Sequence, residues 1–83
     1  MDRLDELIVL TAILDAGSLA GAARRLRRSP PAVTRSLAAL EVRVGARLVQ
    51  RTTRQLTPTA SGRRLASQAR QVLTDYEQAV GSH

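Results

Sequence analysis

The 83-residue chain contains no cysteine, lysine, tryptophan or phenylalanine. Its only aromatic residue is Tyr76 and its only histidine is His83. Without cysteine there is no disulfide framework and no thiolate metal site. One histidine, at the last position, cannot build a histidine metal site or a His-dependent triad, and no glycine-rich phosphate loop is present. No nucleophile–base constellation remains, so the chain reads as a non-enzyme that takes no cofactor and no metal. No apolar run approaches the roughly 18 residues of a membrane span, and the N-terminus does not read as a signal peptide. The expectation is a cytoplasmic protein with no membrane partner. At 43% hydrophobic the chain can bury a core, but that core must be aliphatic and alanine-rich. Its length allows one small domain, near the size where a single core is marginal.

What is abundant is arginine, and its placement is uneven. Twelve of the thirteen arginines lie between Arg24 and Arg70, where Glu41 is the only acid, giving that stretch a net charge of +11. The rest sets Arg3 against Asp2, Asp5, Glu6, Asp15, Asp75 and Glu77, a net −5. Codon bias explains arginine over lysine but not the segregation of the acids to both ends. Such polarity implies a basic surface facing a polyanion.

Inside the basic stretch the pattern is that of two helices joined by a very short turn. The first carries Leu19, Ala22, Ala23 and Leu26 on one side; the small alanines permit close helix approach. Arg27, Arg28 and Ser29 make the turn. The second, from about Pro30 to Val44, carries Val33, Leu37, Leu40 and Val44 at steps of four, three and four, one face of a 3.6-residue period. Ser29 suits its N-cap and Pro30 its first position, where a missing N–H costs nothing. A tight helical hairpin and a helix-turn-helix share this shape, and in the latter the second helix enters the DNA major groove. Opposite the apolar face lie Pro31, Arg35, Ala38 and Val42, flanked by Thr34 and Ala39. Arg35 can grip a phosphate or bond a guanine bidentately.

The flanking segments complete the expectation. An N-terminal helix begins with Asp2 as a plausible cap and with Asp5 and Glu6 in its first turn, where the helix dipole favours anions. Its apolar stripe is read as Leu4, Leu7, Ile8, Leu10, Thr11 and Leu14. Gly17 ends it and Ser18 caps the next helix. After Gly45, Arg47–Gln50 and Gln55–Pro58 are strand candidates, and Arg51-Thr52-Thr53-Arg54 between them is turn-like: a wing whose arginines suit the minor groove. Pro58 restricts its strand to an edge or an end. Thr59 caps a long helix to about Val80, with Gly62 where that helix packs close on the hairpin. Leu65, Ala69, Val72, Leu73, Tyr76, Ala79 and Val80 line it, a stripe longer than a three-helix core can cover, which wants a partner helix.

These residues resemble the DNA-binding domain of LysR-type transcriptional regulators. The resemblance rests on Gly17-Ser18-Leu19, Ala22-Ala23 with Leu26, Ser29-Pro30-Pro31-Ala32-Val33-Thr34, Leu40-Glu41 with Gly45, Leu48-Val49, Arg51-Thr52-Thr53-Arg54, and Thr59 with Gly62, and covers about Leu4 to Gly62. It implies a mainly α winged helix-turn-helix, a three-helix core plus two-stranded wing over residues 1–58, with a linker and dimerisation helix over 59–83. It implies base reading from the start of the third helix, at Ser29, Pro30, Pro31, Thr34, Arg35 and Ala38, and wing contacts from Arg51, Thr53 and Arg54. It also implies a homodimer or tetramer, and a small-molecule effector bound by a C-terminal domain that this chain lacks. Leu10 and Leu19 stand where the family often has Phe. Pro30 stands where a polar residue, often Gln, is usual, which shifts base reading toward Arg35.

The expected function is sequence-specific binding of double-stranded DNA by a nucleoid-associated regulator. Arg24, Arg25, Arg28 and Arg63 are candidate phosphate contacts. Leu65, Ala69, Val72, Leu73, Tyr76 and Val80 are candidates for the dimer interface. A basic helical protein-interaction module is the alternative; an RNA reader is disfavoured because such domains stack bases on aromatics.

Overall fold

A computed structural model describes residues 3–52 and 55–82. The Asp2 cap and the wing residues Thr53 and Arg54 therefore lie outside the described residues. The order is α1 (Arg3–Ala16), α2 (Leu19–Leu26), α3 (Pro30–Val44), β1 (Val49–Arg51), β2 (Leu56–Pro58) and α4 (Ala60–Gly81). Helix α1 packs against α2, α3 and α4, and α2 against α3. This is a three-helix core with a two-stranded antiparallel wing and a long C-terminal helix.

The helix ends follow from local chemistry. Ser18 Oγ accepts from Gly21 N at 2.9 Å, Ser29 Oγ from Ala32 N at 3.3 Å, and Thr59 Oγ1 from Gly62 N at 3.0 Å, each meeting an amide that has no partner within its helix. Gly17 at φ +72° and Gly45 at φ +78° take the left-handed conformation that closes α1 and α3. Arg27 adopts the same conformation at φ 56° without being glycine. The Arg28 N–H then bonds back to the Ala23 carbonyl at 2.9 Å, which tightens the turn.

The core gathers Val9, Leu10 and Ile13 of α1, Ala22 and Ala23 of α2, Val33, Leu37 and Leu40 of α3, then Leu48, Val49 and Ala66. Two expectations are corrected. The buried face of α1 is Glu6, Val9, Leu10 and Ile13, whereas Ile8 is exposed and Leu4, Leu7, Thr11 and Leu14 are half-buried. Helix α1 is apolar on nearly every side, so its period alone does not choose a face. Val44 is exposed, because α3 runs past the core in its last turn.

The strands also sit later than the apolar pattern suggests. The register pairs Val49 with Pro58, Gln50 with Thr57 and Arg51 with Leu56. Arg51 is thus a strand residue, not part of the turn. Leu48 stands opposite Thr59 in this register, but the two share a single backbone bond, because the Leu48 amide turns to Glu41. The Leu48 amide donates to Glu41 Oε2 at 2.7 Å, its carbonyl accepts from Thr59 N at 3.0 Å, and the Arg47 carbonyl accepts from Thr59 Oγ1 at 2.7 Å. At the other end the ladder continues one step, Thr52 N donating to Gln55 O at 2.8 Å. Gly62 meets this anchored segment: a Cβ there would lie 2.0 Å from the Leu48 carbonyl oxygen.

Candidate nucleic-acid interface

Helix α3 presents its outward face by exclusion. With Val33, Ser36, Leu37 and Leu40 buried, the side chains of Pro31, Arg35, Ala38 and Val42 are exposed and Thr34 is half-buried. Ser29 and Pro30 at the helix start are exposed as well. The first turn has no backbone donor to offer. Pro30 and Pro31 lack N–H groups, Ala32 N is bound by the Ser29 hydroxyl, and Val33 N donates to the Ser29 carbonyl at 3.2 Å.

Ion pairs divide the arginines. Among the described residues there are three, and each uses an acid of α1. Arg28 Nη1 donates to Asp5 Oδ2 at 2.8 Å, with a second bond from Nη2 to Oδ1. Arg43 grips Glu6 through Nε and Nη2 at 3.0 and 3.1 Å. Arg70 pairs with Asp15. The hydrogen bond from Arg28 holds the Asp5 carboxyl below its ordinary pKa, against the opposing effect of burial. The bond from Arg43 does the same for Glu6. Both guanidinium pKa values are raised in turn. Asp5 and Glu6 thus do more than complement a helix dipole: they tie α1 to the turn and to α3. Neither pairing is a local pattern, since the partners lie 23 and 37 residues away.

Arg28, a candidate phosphate contact, is half-buried and held within the chain by Asp5. Arg24 and Arg25 on α2, Arg35 on α3, Arg51 on β1 and Arg63 in the first turn of α4 are all exposed, and none is in those three pairs. Glu41, the only acid of the basic stretch, receives the Leu48 amide and stays within the fold. Asp5, Glu6, Asp15 and Glu41 therefore each have a partner within the chain, and the exposed arginines outside these pairs are left to solvent or to an anionic ligand.

The stripe on α4 splits in two. Ala66 and Ala69 are buried and Leu65 is half-buried against the core, so the first half belongs to the single-chain fold. Ala69 is consequently not surface available to a second chain. Val72 (44% exposed), Tyr76 (54%) and Val80 (58%) stand open. Leu73 and Tyr76 join Leu4, Asp5, Ile8 and Glu77 around a groove of 470 Å³ between α1 and α4.

Comparison with known proteins bears on this surface. The family described as bacterial regulatory helix-turn-helix protein, lysR family, matches residues 4–63. The probable HTH-type transcriptional regulator LtrA of Klebsiella pneumoniae is 37% identical over 99% of the chain, which covers 26% of that protein. The HTH-type transcriptional regulator AceR of Acinetobacter baumannii is 36% identical over 89% of the chain and is covered over 25%. The chain thus spans about a quarter of the length of these relatives. Among solved structures, the CbnR_DBD–DNA complex superposes with a TM-score of 0.92 at 32% identity, covering 98% of this chain and 93% of that one. The BenM_DBD/catB site 1 DNA complex gives 0.93 at 26% identity, with coverages of 98% and 91%.

Proposed function

The chain belongs to the lysR family of bacterial regulatory helix-turn-helix proteins, and from this we propose that it binds double-stranded DNA sequence-specifically, with α3 in the major groove. It is a DNA-binding domain of a transcriptional regulator and not an enzyme. The observation that carries the placement is the partition of the arginines. The acids Asp5, Glu6 and Asp15 each hold one, while Arg35 on α3 itself, Arg24 and Arg25 on the adjoining α2, Arg51 on β1 and Arg63 on α4 stay exposed outside those pairs.

In this reading Arg35 bonds a guanine edge, with Ser29, Pro30, Pro31, Thr34 and Ala38 around it. Arg24, Arg25 and Arg63 hold phosphates, and Arg28 first of all positions the turn through Asp5. Arg51 and the wing residues Thr53 and Arg54 lie beside the minor groove. Residues 59–83 act as the dimerisation unit through the open half of α4, namely Val72, Leu73, Tyr76 and Val80, together with Ile8 of α1. A dimer then presents two copies of α3 about 34–36 Å apart, one turn of duplex, or a multiple of that spacing. In the full-length regulator a small effector acts through a further domain. Among the described residues no helix is long and apolar enough to cross a membrane; residence in the cytoplasm on the nucleoid accords with the proposal.

Selection of bound sequences from a random duplex pool tests it. A repeated half-site should emerge. Affinity for it should fall by roughly 10³–10⁵ between 50 and 200 mM salt, as for a protein making about six to ten phosphate contacts. A pool that is never enriched, together with retention of an acidic protein surface, would favour the protein-interaction reading.

A further inference from the structure

The reading face of α3 is short of polar chemistry. Residues 29–39 contain no Asn, Gln, Asp or Glu, and the whole chain contains no Asn. Adenine is ordinarily read by a carboxamide and the cytosine amino group by a carboxylate; α3 offers neither along its first two and a half turns. Its hydroxyls are constrained: the Ser29 oxygen caps the helix, Ser36 is buried, and Thr34 is half-buried. The first-turn amides are absent or bonded internally. What remains exposed beside Ser29 is two adjacent pyrrolidine rings, the Arg35 guanidinium and the methyls of Ala38 and Ala39. At 3.6 residues per turn, Pro31, Arg35 and Ala38 fall within about 60° of one another around the axis, and Pro30 stands at the side.

Resting on the proposed major-groove placement of α3, we propose that this helix reads DNA by a two-letter apolar code: Arg35 takes a guanine, and Pro30, Pro31 and Ala38 contact the 5-methyl groups of pyrimidines beside it. A methyl is the one apolar group that the major groove displays, and it marks thymine against unmodified cytosine. A pyrrolidine ring or an alanine methyl gains by covering it and leaves no polar atom unsatisfied. The reach is bounded. Pro31 and Ala38 are seven residues apart, roughly 10.5 Å along the axis, so the methyl-bearing positions lie within about three base steps, given a rise of 3.4 Å per step. The ligand is therefore a half-site with one guanine contacted bidentately and thymines close on either side. 5-Methylcytosine is an acceptable substitute for thymine there, because the face senses the methyl and not the rest of the base edge.

The test uses the 83-residue chain and the duplex that selection yields. Each thymine of one half-site is replaced in turn by uracil, which removes the methyl and nothing else. At one or two positions affinity should fall about fourfold, the order expected for uncovering one methyl-sized group, while affinity for random duplex stays constant. At those positions a C·G pair should bind more tightly when its cytosine is 5-methylated. Pro30→Ala, Pro31→Ala and Ala38→Gly, measured separately, should each shrink a uracil penalty at a particular position, and circular dichroism of each variant checks that it is folded. A selected site that beats random duplex yet tolerates uracil at every position overturns the methyl code and leaves DNA binding standing. So does a set of folded variants that leave every uracil penalty unchanged. Failure to select any site overturns the DNA reading itself, and the methyl code with it.

Discussion

Replacing Gly62 with alanine tests how the wing is fastened to α4. A Cβ at this position would stand 2.0 Å from the Leu48 carbonyl oxygen, 2.9 Å from its carbon and 3.3 Å from its Cα. Relief would need the Leu48 backbone to retreat by more than an ångström. It is anchored on both sides, its amide to Glu41 and its carbonyl to Thr59 N, and its side chain is fully buried. Overpacking against fixed surroundings costs about 1–3 kcal/mol, and contact with backbone belongs at the upper end. Alanine returns about 1 kcal/mol of helix propensity. The net expectation is about 2 kcal/mol of destabilisation, which for a domain of this size lowers the melting temperature by roughly 8–16 °C. Gly81 is the internal control, since a Cβ there meets nothing within 4 Å. Thermal or urea unfolding of both variants decides the matter: Gly81→Ala should stay near the parent while Gly62→Ala falls well below it. A Gly62→Ala protein as stable as Gly81→Ala would refute the close approach of α4 to Leu48.

The acid pairs give a pH dependence. Folding lowers the Asp5 and Glu6 carboxyl pKa values through their hydrogen bonds from Arg28 and Arg43. That stability is fully present above the unfolded carboxylate pKa and is lost as pH falls through the lower folded value. Urea midpoints should therefore drop on acidification below the usual carboxylate range, and Asp5→Asn should flatten that decline; an unaltered acid arm would contradict the pairing. Association is read by Val72→Asp. Val72 is 44% exposed in the single chain, so the variant should remain folded while sedimentation shows dimer giving way to monomer, because an unpaired carboxylate would be buried against an apolar face. A parent that is monomeric at high concentration, or a variant that still dimerises, contradicts pairing through α4.

How far the molecule was legible in its sequence depended on the range of each interaction. Ser18, Ser29, Thr59, Gly17 and Gly45 declared the ends of their helices because a cap acts on amides or carbonyls within one turn. Gly62 was legible as a place of close packing for a similar reason, standing just inside a helix start beside a strand. The face of α1 was not, since Leu4, Leu7, Ile8, Val9, Leu10, Ile13 and Leu14 surround the axis and only the packed partners α2, α3 and α4 choose among them. β1 starts late for a tertiary reason: Glu41 takes the Leu48 amide, so Leu48 and Thr59 share one backbone bond instead of a reciprocal pair, and the Thr59 hydroxyl takes the Arg47 carbonyl. At the candidate interface, the exposed face of α3 followed from its period. The pairing of Arg28 with Asp5 did not, because charge balance along a chain does not say which arginine an acid will hold. Nor did the division of α4, whose apolar stripe is continuous in sequence although Ala66 and Ala69 are buried by the chain's own core.

Base reading by α3 through Arg35 is tested most directly by the ratio of specific to random duplex affinity for Arg35→Ala at fixed salt. Arg35 is exposed, lies opposite Val33, Leu37 and Leu40, and has no part in the three ion pairs of the described residues, so the variant should keep its fold. The expected result is a loss of about 1–3 kcal/mol on the selected site with little change on random duplex, and a relaxed preference at the guanine. An equal loss on both duplexes would make Arg35 a phosphate contact and contradict base reading from this helix.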